Sequence, residues 1–193
     1  MRLLILPLLA SMASSKILDD QKLQEMAKEL RGNDDRLVRP FPSERTAESQ
    51  NELCPFMISS LVETVSSGES LRVRGGAAEV LHLCTTNNPA NRADIGTAEK
   101  GMIFEGIKDL IRTGMASFNA TKATAEGENE EVNSEVGKAI AHAAEAVWIL
   151  SYNNEHNQKG FFKAGVVDEL IASLKNYPVF FDRDGAFAST NMW

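Results

Sequence analysis

Apolar residues recur every three or four positions along most of this chain, the interval at which an α-helix returns to one face. The first run is 16–30, where Ile17, Leu18, Leu23, Met26, Ala27 and Leu30 fall roughly on one side. Gly32-Asn33-Asp34-Asp35 stops it, and the polar stretch 31–52, with Pro40 and Pro42, reads as an extended linker. In 53–66, Met57, Leu61 and Val65 are spaced by four, with Ile58 and Val62 beside them. Ser66-Ser67-Gly68 ends that helix. Ser70 is placed to cap the next, whose face is Val73, Ala77, Val80 and Cys84. Asn87-Asn88-Pro89 closes it, because proline cannot continue a helix. Residues 90–100 read as a short helix or turn, and Ile103, Ile107 and Leu110 mark an amphipathic helix over 102–113.

The rhythm then breaks. Glu126, Glu128, Glu130, Glu131 and Glu135 fall within ten residues whose one apolar side chain is Val132. Such a composition buries too little surface to offset its ordering entropy, so 114–135 is expected to be a mobile acidic loop. A solvated insertion is the simpler reading, and a tail for a basic partner the other. Helical spacing resumes with Ile140, Ala143, Ala144, Val147 and Leu150, and Asn153-Asn154 closes that face. A short helix near 156–163 leads to Gly165. Val167, Leu170, Ile171 and Leu174 form a last helix before Tyr177-Pro178. The tail from Val179 holds Phe180, Phe181, Phe187 and Trp193 without a clean period. No strand pattern of useful length appears, so the fold class expected is all-α.

One segment occurs twice. Residues 77–91 read AAEVLHLCTTNNPAN and residues 143–157 read AAEAVWILSYNNEHN, with six of fifteen positions identical and no gap. The shared Ala-Ala-Glu, the Asn pair and the closing Asn, followed by Gly101 in one copy and Gly165 in the other, resemble the armadillo repeat. That unit is three helices in about 42 residues: a small-residue helix, an Asn-rich turn, a short helix, a glycine corner and an apolar helix. The resemblance spans 53–176 and implies a right-handed α-solenoid of about two clear repeats with partial flanking units. Residues 53–67 look like the last helix of a preceding unit, and 177–193 like a tail or the start of a further one. Ala77, Ala78, Ala143, Ala144 and Ala146 let helices approach closely. Asn87, Asn91, Asn153 and Asn157 are suited to closing helix ends through side-chain hydrogen bonds. The copies are 66 residues apart rather than about 42, and the acidic segment supplies the excess. Arrays need about three units, so caps, a longer parent chain or self-association must complete this one.

The resemblance also implies a function. Such solenoids hold a partner protein or extended peptide on a concave face. In nuclear-import receptors of the family, each small-residue helix presents a Trp and an Asn there. The matching positions here are Glu79 and Leu83, then Glu145 and Ile149, so import-signal chemistry does not carry over. These four residues are the expected lining, and the two glutamates would favour a basic or polar peptide. Trp148 is an outside candidate, read as lying on a different face from Glu145 and as suited to a core or inter-repeat contact. An alternative is a nucleotide-exchange cochaperone of an Hsp70-type chaperone in the endoplasmic reticulum, an analogy of architecture only.

Composition narrows the classes further. The formal charge is −7, and Arg36, Arg39, Arg72 and Arg74 form no basic stripe, so no nucleic-acid footprint is present. Met1-Arg2, the apolar run Leu3–Ala10 and the small residues Ser11 and Ala13 suit a secretory signal peptide over 1–13. Alternatives are a capping hydrophobic helix or an organelle presequence. The run is too short to span a bilayer, and without a signal the setting would be cytoplasmic. Cys54 and Cys84 read as buried thiols in preference to a disulfide. Asn119-Ala120-Thr121 is a glycosylation sequon in what reads as a polar loop. His82, His142 and His156 match no metal or catalytic pattern. Asp182-Arg183-Asp184-Gly185 lacks the outer ligands of a calcium loop, and Arg74-Gly75-Gly76 lacks the Lys-Ser/Thr of a phosphate loop. No cofactor, metal or catalytic set is therefore expected.

Overall fold

A computed structural model describes residues 17–32, 55–86, 88–123 and 130–176, which are helical apart from short turns. The expected signal segment 1–13, most of the linker 31–52, Cys54, Asn87 and the tail from Val179 lie outside them. The helices are α1 (Asp20–Gly32), α2 (Pro55–Ser67), α3 (Leu71–Thr85) and α4 (Pro89–Thr97), then a 3-10 turn (Ala98–Gly101). They continue as α5 (Met102–Ala123), α6 (Glu130–Ser151), α7 (Glu155–Ala164) and α8 (Val166–Asn176).

Side-chain caps set where these helices begin. Ser70 accepts the Val73 N–H at 3.2 Å and starts α3. Asn88, with Pro89 at the first helical position, accepts the Asn91 N–H at 3.0 Å and starts α4. Asn154 does the same for α7, accepting the Asn157 N–H at 3.1 Å. Gly165, at φ 79° in the left-handed region, turns the chain from α7 into α8. Gly101, also at φ 79°, precedes α5, but here the corner is the 3-10 turn Ala98–Gly101, in which Glu99 and Lys100 are left-handed as well.

The two copies of the repeated segment share their capping bonds. Asn91 donates from Nδ2 to the Cys84 carbonyl at 2.9 Å, and Asn157 donates to the Leu150 carbonyl at 2.9 Å. Both reach seven residues back to a carbonyl that the end of the preceding helix leaves free. Arg92 to Thr85 O, at 3.0 Å, and Gln158 to Ser151 O, at 2.9 Å, repeat the move one position later. Asn157 also donates to Arg92 O at 2.8 Å and so ties α7 to α4. A Cβ on Gly96 would lie 1.7 Å from Asn157 Oδ1, so only glycine leaves room for this link. Asn153 instead occupies the left-handed region at φ 51°.

Corresponding helices pack on one another. α3 lies between α1 and α6, α5 meets both α2 and α8, and α4 meets α7. The core between them is apolar, with Leu61, Val80, Leu81, Ile107 and Leu110 fully buried. Small residues set the spacing, since Ala77, Ala78, Ala143 and Ala146 are also fully buried. At the α3–α6 crossing, a Cβ on Gly75 would fall 2.9 Å from the Ala139 Cα. Arg74 anchors the same end of α3. Its guanidinium donates to Val65 O at 2.7 Å and Gly106 O at 3.2 Å, and pairs with Asp109 at 3.2 Å.

The acidic loop expected over 114–135 is largely helix. α5 runs on to Ala123 and α6 begins at Glu130, leaving only 124–129 outside the described residues. Met115 and Val136 are buried and Phe118 packs against the core, so both helices keep an apolar face in this stretch. Glutamate is itself a good helix former, and a shared helix–helix contact offsets the ordering entropy that composition alone leaves uncovered. Relative to α3, whose start at Leu71 corresponds to Gly137, α6 is longer at its N-terminus by Glu130–Val136. Asn119 accordingly sits exposed on helix α5 and not in a loop.

Gly75→Ala is expected to destabilise the chain by about 1–3 kcal/mol, the range for forcing atoms into a filled contact. Its neighbour should behave oppositely. A Cβ on Gly76 meets Leu23 at 3.6 Å, an ordinary contact, so Gly76→Ala should be neutral or gain up to about 1 kcal/mol of helix propensity. Urea unfolding of both variants tests this, and equal effects would contradict the close crossing.

Candidate binding face

Because α3 and α6 lie side by side, their partly exposed rows run in register. Under the 66-residue offset Glu79 corresponds to Glu145, His82 to Trp148, Leu83 to Ile149 and Thr86 to Tyr152. The last turn of α1 brings Arg31 against the same surface.

The polar members form one alternating chain across three helices. Arg31 of α1 pairs with Glu79 of α3. His142 Nε2 stands 3.8 Å from the other Glu79 oxygen, and its Nδ1 is 3.2 Å from Glu145 Oε2. His82 Nδ1 lies 3.7 Å from that same Glu145 oxygen, beyond hydrogen-bond reach. The His82, His142, Glu79 and Glu145 side chains are between 15% and 21% exposed, so these groups act on one another in a partly dry setting. Glu79 and Glu145, expected to favour a basic or polar peptide, are thus engaged internally.

Burial is the main force on His82 and pushes its pKa below the ordinary histidine value. Glu145 acts against that shift, while His142 and Arg31 add to it.

The other expected lining residues divide. Leu83 is half-buried against the core. Ile149 is 6% exposed and belongs to the core, because its side of α6 turns inward together with Ala146 and Leu150. Trp148 is 54% exposed. It stands three residues from Glu145, a spacing that puts both on the same side of a helix and corrects the reading of opposed faces. Tyr152, four residues further, is 39% exposed and lies under the Arg92 guanidinium at 5.7 Å. Tyr152 and the two histidines were not expected here. Extending the register comparison past the glutamates finds His82 and Tyr152, whereas His142 corresponds to Gly76 and leaves no such signal.

Neither Cys84 nor the histidines form a reactive set with one another. Cys84 is a free, buried thiol whose pKa burial pushes up to about 12, so it is protonated at neutral pH. Among the described residues no group of three His, Cys, Asp or Glu side chains is arranged to hold a metal ion. No described helix is long and apolar enough to cross a membrane. The arrangement presents aromatic surface beside a polar strip in which Glu79 faces Arg31 and His142, and Glu145 faces His142 and His82. Comparison with known protein families, characterised proteins and solved structures finds no significant match to this chain.

The His82 shift fixes the sign of a pH effect. The folded state holds this proton less tightly than the unfolded state, so the contribution of neutral His82 is present above about 6.5 and is lost as pH falls below it. The wild-type midpoint in urea should therefore drop between pH 7.5 and pH 5.5 by more than that of His82→Gln. A parallel decline in both proteins would remove His82 from the explanation.

Proposed function

We propose that this chain is an armadillo-like α-solenoid that works as a non-catalytic adaptor, holding a partner protein or extended peptide along the α3–α6 face. The reading rests above all on Trp148 and Tyr152, two large aromatic side chains left exposed in line with Glu145. Aromatic anchors beside polar neighbours supply most of the energy at many protein interfaces. The solenoid part draws support from the paired rows α1–α3–α6 and α2–α5–α8, the left-handed glycines Gly101 and Gly165, and the asparagine bonds repeated at an offset of 66.

The internal ion pairs change the chemistry of the partner. A basic peptide would have to compete with Arg31 for Glu79 and with the His142 hydrogen bond for Glu145. An apolar or aromatic residue seated on Trp148, with polar backbone groups bonding alongside, makes the better occupant. If residues 1–13 act as the signal their sequence suggests, that partner is met in the secretory pathway.

An array of extended peptides probed with the full chain tests the proposal. Bound sequences should carry an apolar or aromatic residue, and Trp148→Ala should weaken them by about 2 kcal/mol, roughly thirtyfold. Binding that survives both Trp148→Ala and Tyr152→Ala would place the function elsewhere.

A further inference from the structure

The two ends of the helical rows differ in chemistry. At the α1 end the described exposed residues are Asp19, Gln21, Gln24, Glu25 and Lys28, which are polar as a cap requires, with Ile17 the one large apolar side chain among them. At the α8 end they are apolar. α8 seats Val166 and Ser173 inward, at 0% and 4% exposure. On its outward side Val167, Ile171 and Leu174 are 42%, 45% and 44% exposed. Steps of four and three place them on one stripe. Phe162 of α7 is 76% exposed and stands 66 residues after Gly96, the position at which the preceding unit receives Asn157 of the next. This end therefore has the character of a contact between units with its second half missing.

The row beside the stripe says what fits there. It reads Asp168, Ala172, Lys175, all exposed. The acid and the base flank the centre of the stripe, near Ile171 and Ala172, at nearly equal distances in sequence. Turned by half a rotation about that centre, the row presents each charge to its opposite. Ala172 lets two helices approach closely at the axis. Among the described residues the α1 end exposes one large apolar side chain, Ile17, against the three of the α8 stripe, which disfavours a head-to-tail chain of copies and favours a closed pair.

We propose that the outward face of α8 joins two copies of this chain, paired antiparallel across a two-fold axis with Asp168 of each opposite Lys175 of the other. The apolar stripe supplies the attraction, and the two charge pairs fix direction and register. This contact uses neither α3 nor α6, so it stands or falls separately from the peptide-binding face.

Sedimentation equilibrium of the full chain over a range of micromolar concentrations tests the pairing. A reversible dimer is expected. Ile171→Glu should give monomers with unchanged helical content, since its side chain is outward-facing. Asp168→Lys and Lys175→Asp should each weaken association by about tenfold, because each change occurs twice across the axis, and the double swap should recover most of the loss. A monomeric wild type would overturn the proposal, and would mean that this face is covered by other residues of the chain or by a different protein. A dimer indifferent to Ile171→Glu, or a double swap no better than either single change, would overturn it as well.

Discussion

The close crossing of α3 and α6 is the constraint on which the remaining features depend. With no Cβ on Gly75, the α3 backbone comes into contact with Ala139. At that separation the side chains above the crossing reach from one helix to the other, so His142 sits within ion-pair distance of Glu79 and His82 within that of Glu145. A wider gap would leave two independent polar strips. The narrow one makes a single chain of polar groups that ends on Arg31 and so includes α1. Small residues in this crossing do more than save space, because they decide which surface groups remain free for a partner.

The buried asparagines solve a different problem. A short helix such as α4 or α7 has few internal hydrogen bonds, and the helix before it ends in carbonyls without partners. One side chain, Asn91 or Asn157, bonds back to such a carbonyl while its own backbone N–H is held by the cap three residues earlier. A turn that would otherwise cost two unsatisfied groups is thereby fixed by two residues. Asn157 adds a bond to Arg92 O, which carries the same device from one unit into the next.

Much of the fold could be read from periodicity. Helices whose apolar residues fall at regular steps, such as 53–66 and the Val73–Cys84 face, appear in the structure close to where the spacing puts them, and Ser70 caps as expected. The stretch 114–135 was misread because its glutamates suggested solvent exposure. Ile111, Met115 and Phe118 nevertheless continue the face of α5, and Val136 begins that of α6 with Ala139 and Ile140, each at ordinary helical steps. The candidate site was only half legible. Glu79 and Glu145 could be found from the repeat, but their pairing with histidines and Arg31 depends on the distance between helices, which no single helix encodes. Ile149 was misplaced because an apolar residue at a lining position can turn inward, while Trp148, the larger and less easily buried side chain, was left outside.

The longer α6 separates two properties of the unit that are usually linked. All of its excess over α3 precedes Gly137, so the residues that meet α7 and α3 keep their register whatever the length of that extension. Seven residues add roughly 10 Å of helix. The spacing between copies in the sequence is thus set separately from the spacing between helices. A search that demands a fixed period would miss such a pair, whereas one that compares the positions of the capping asparagines would align them.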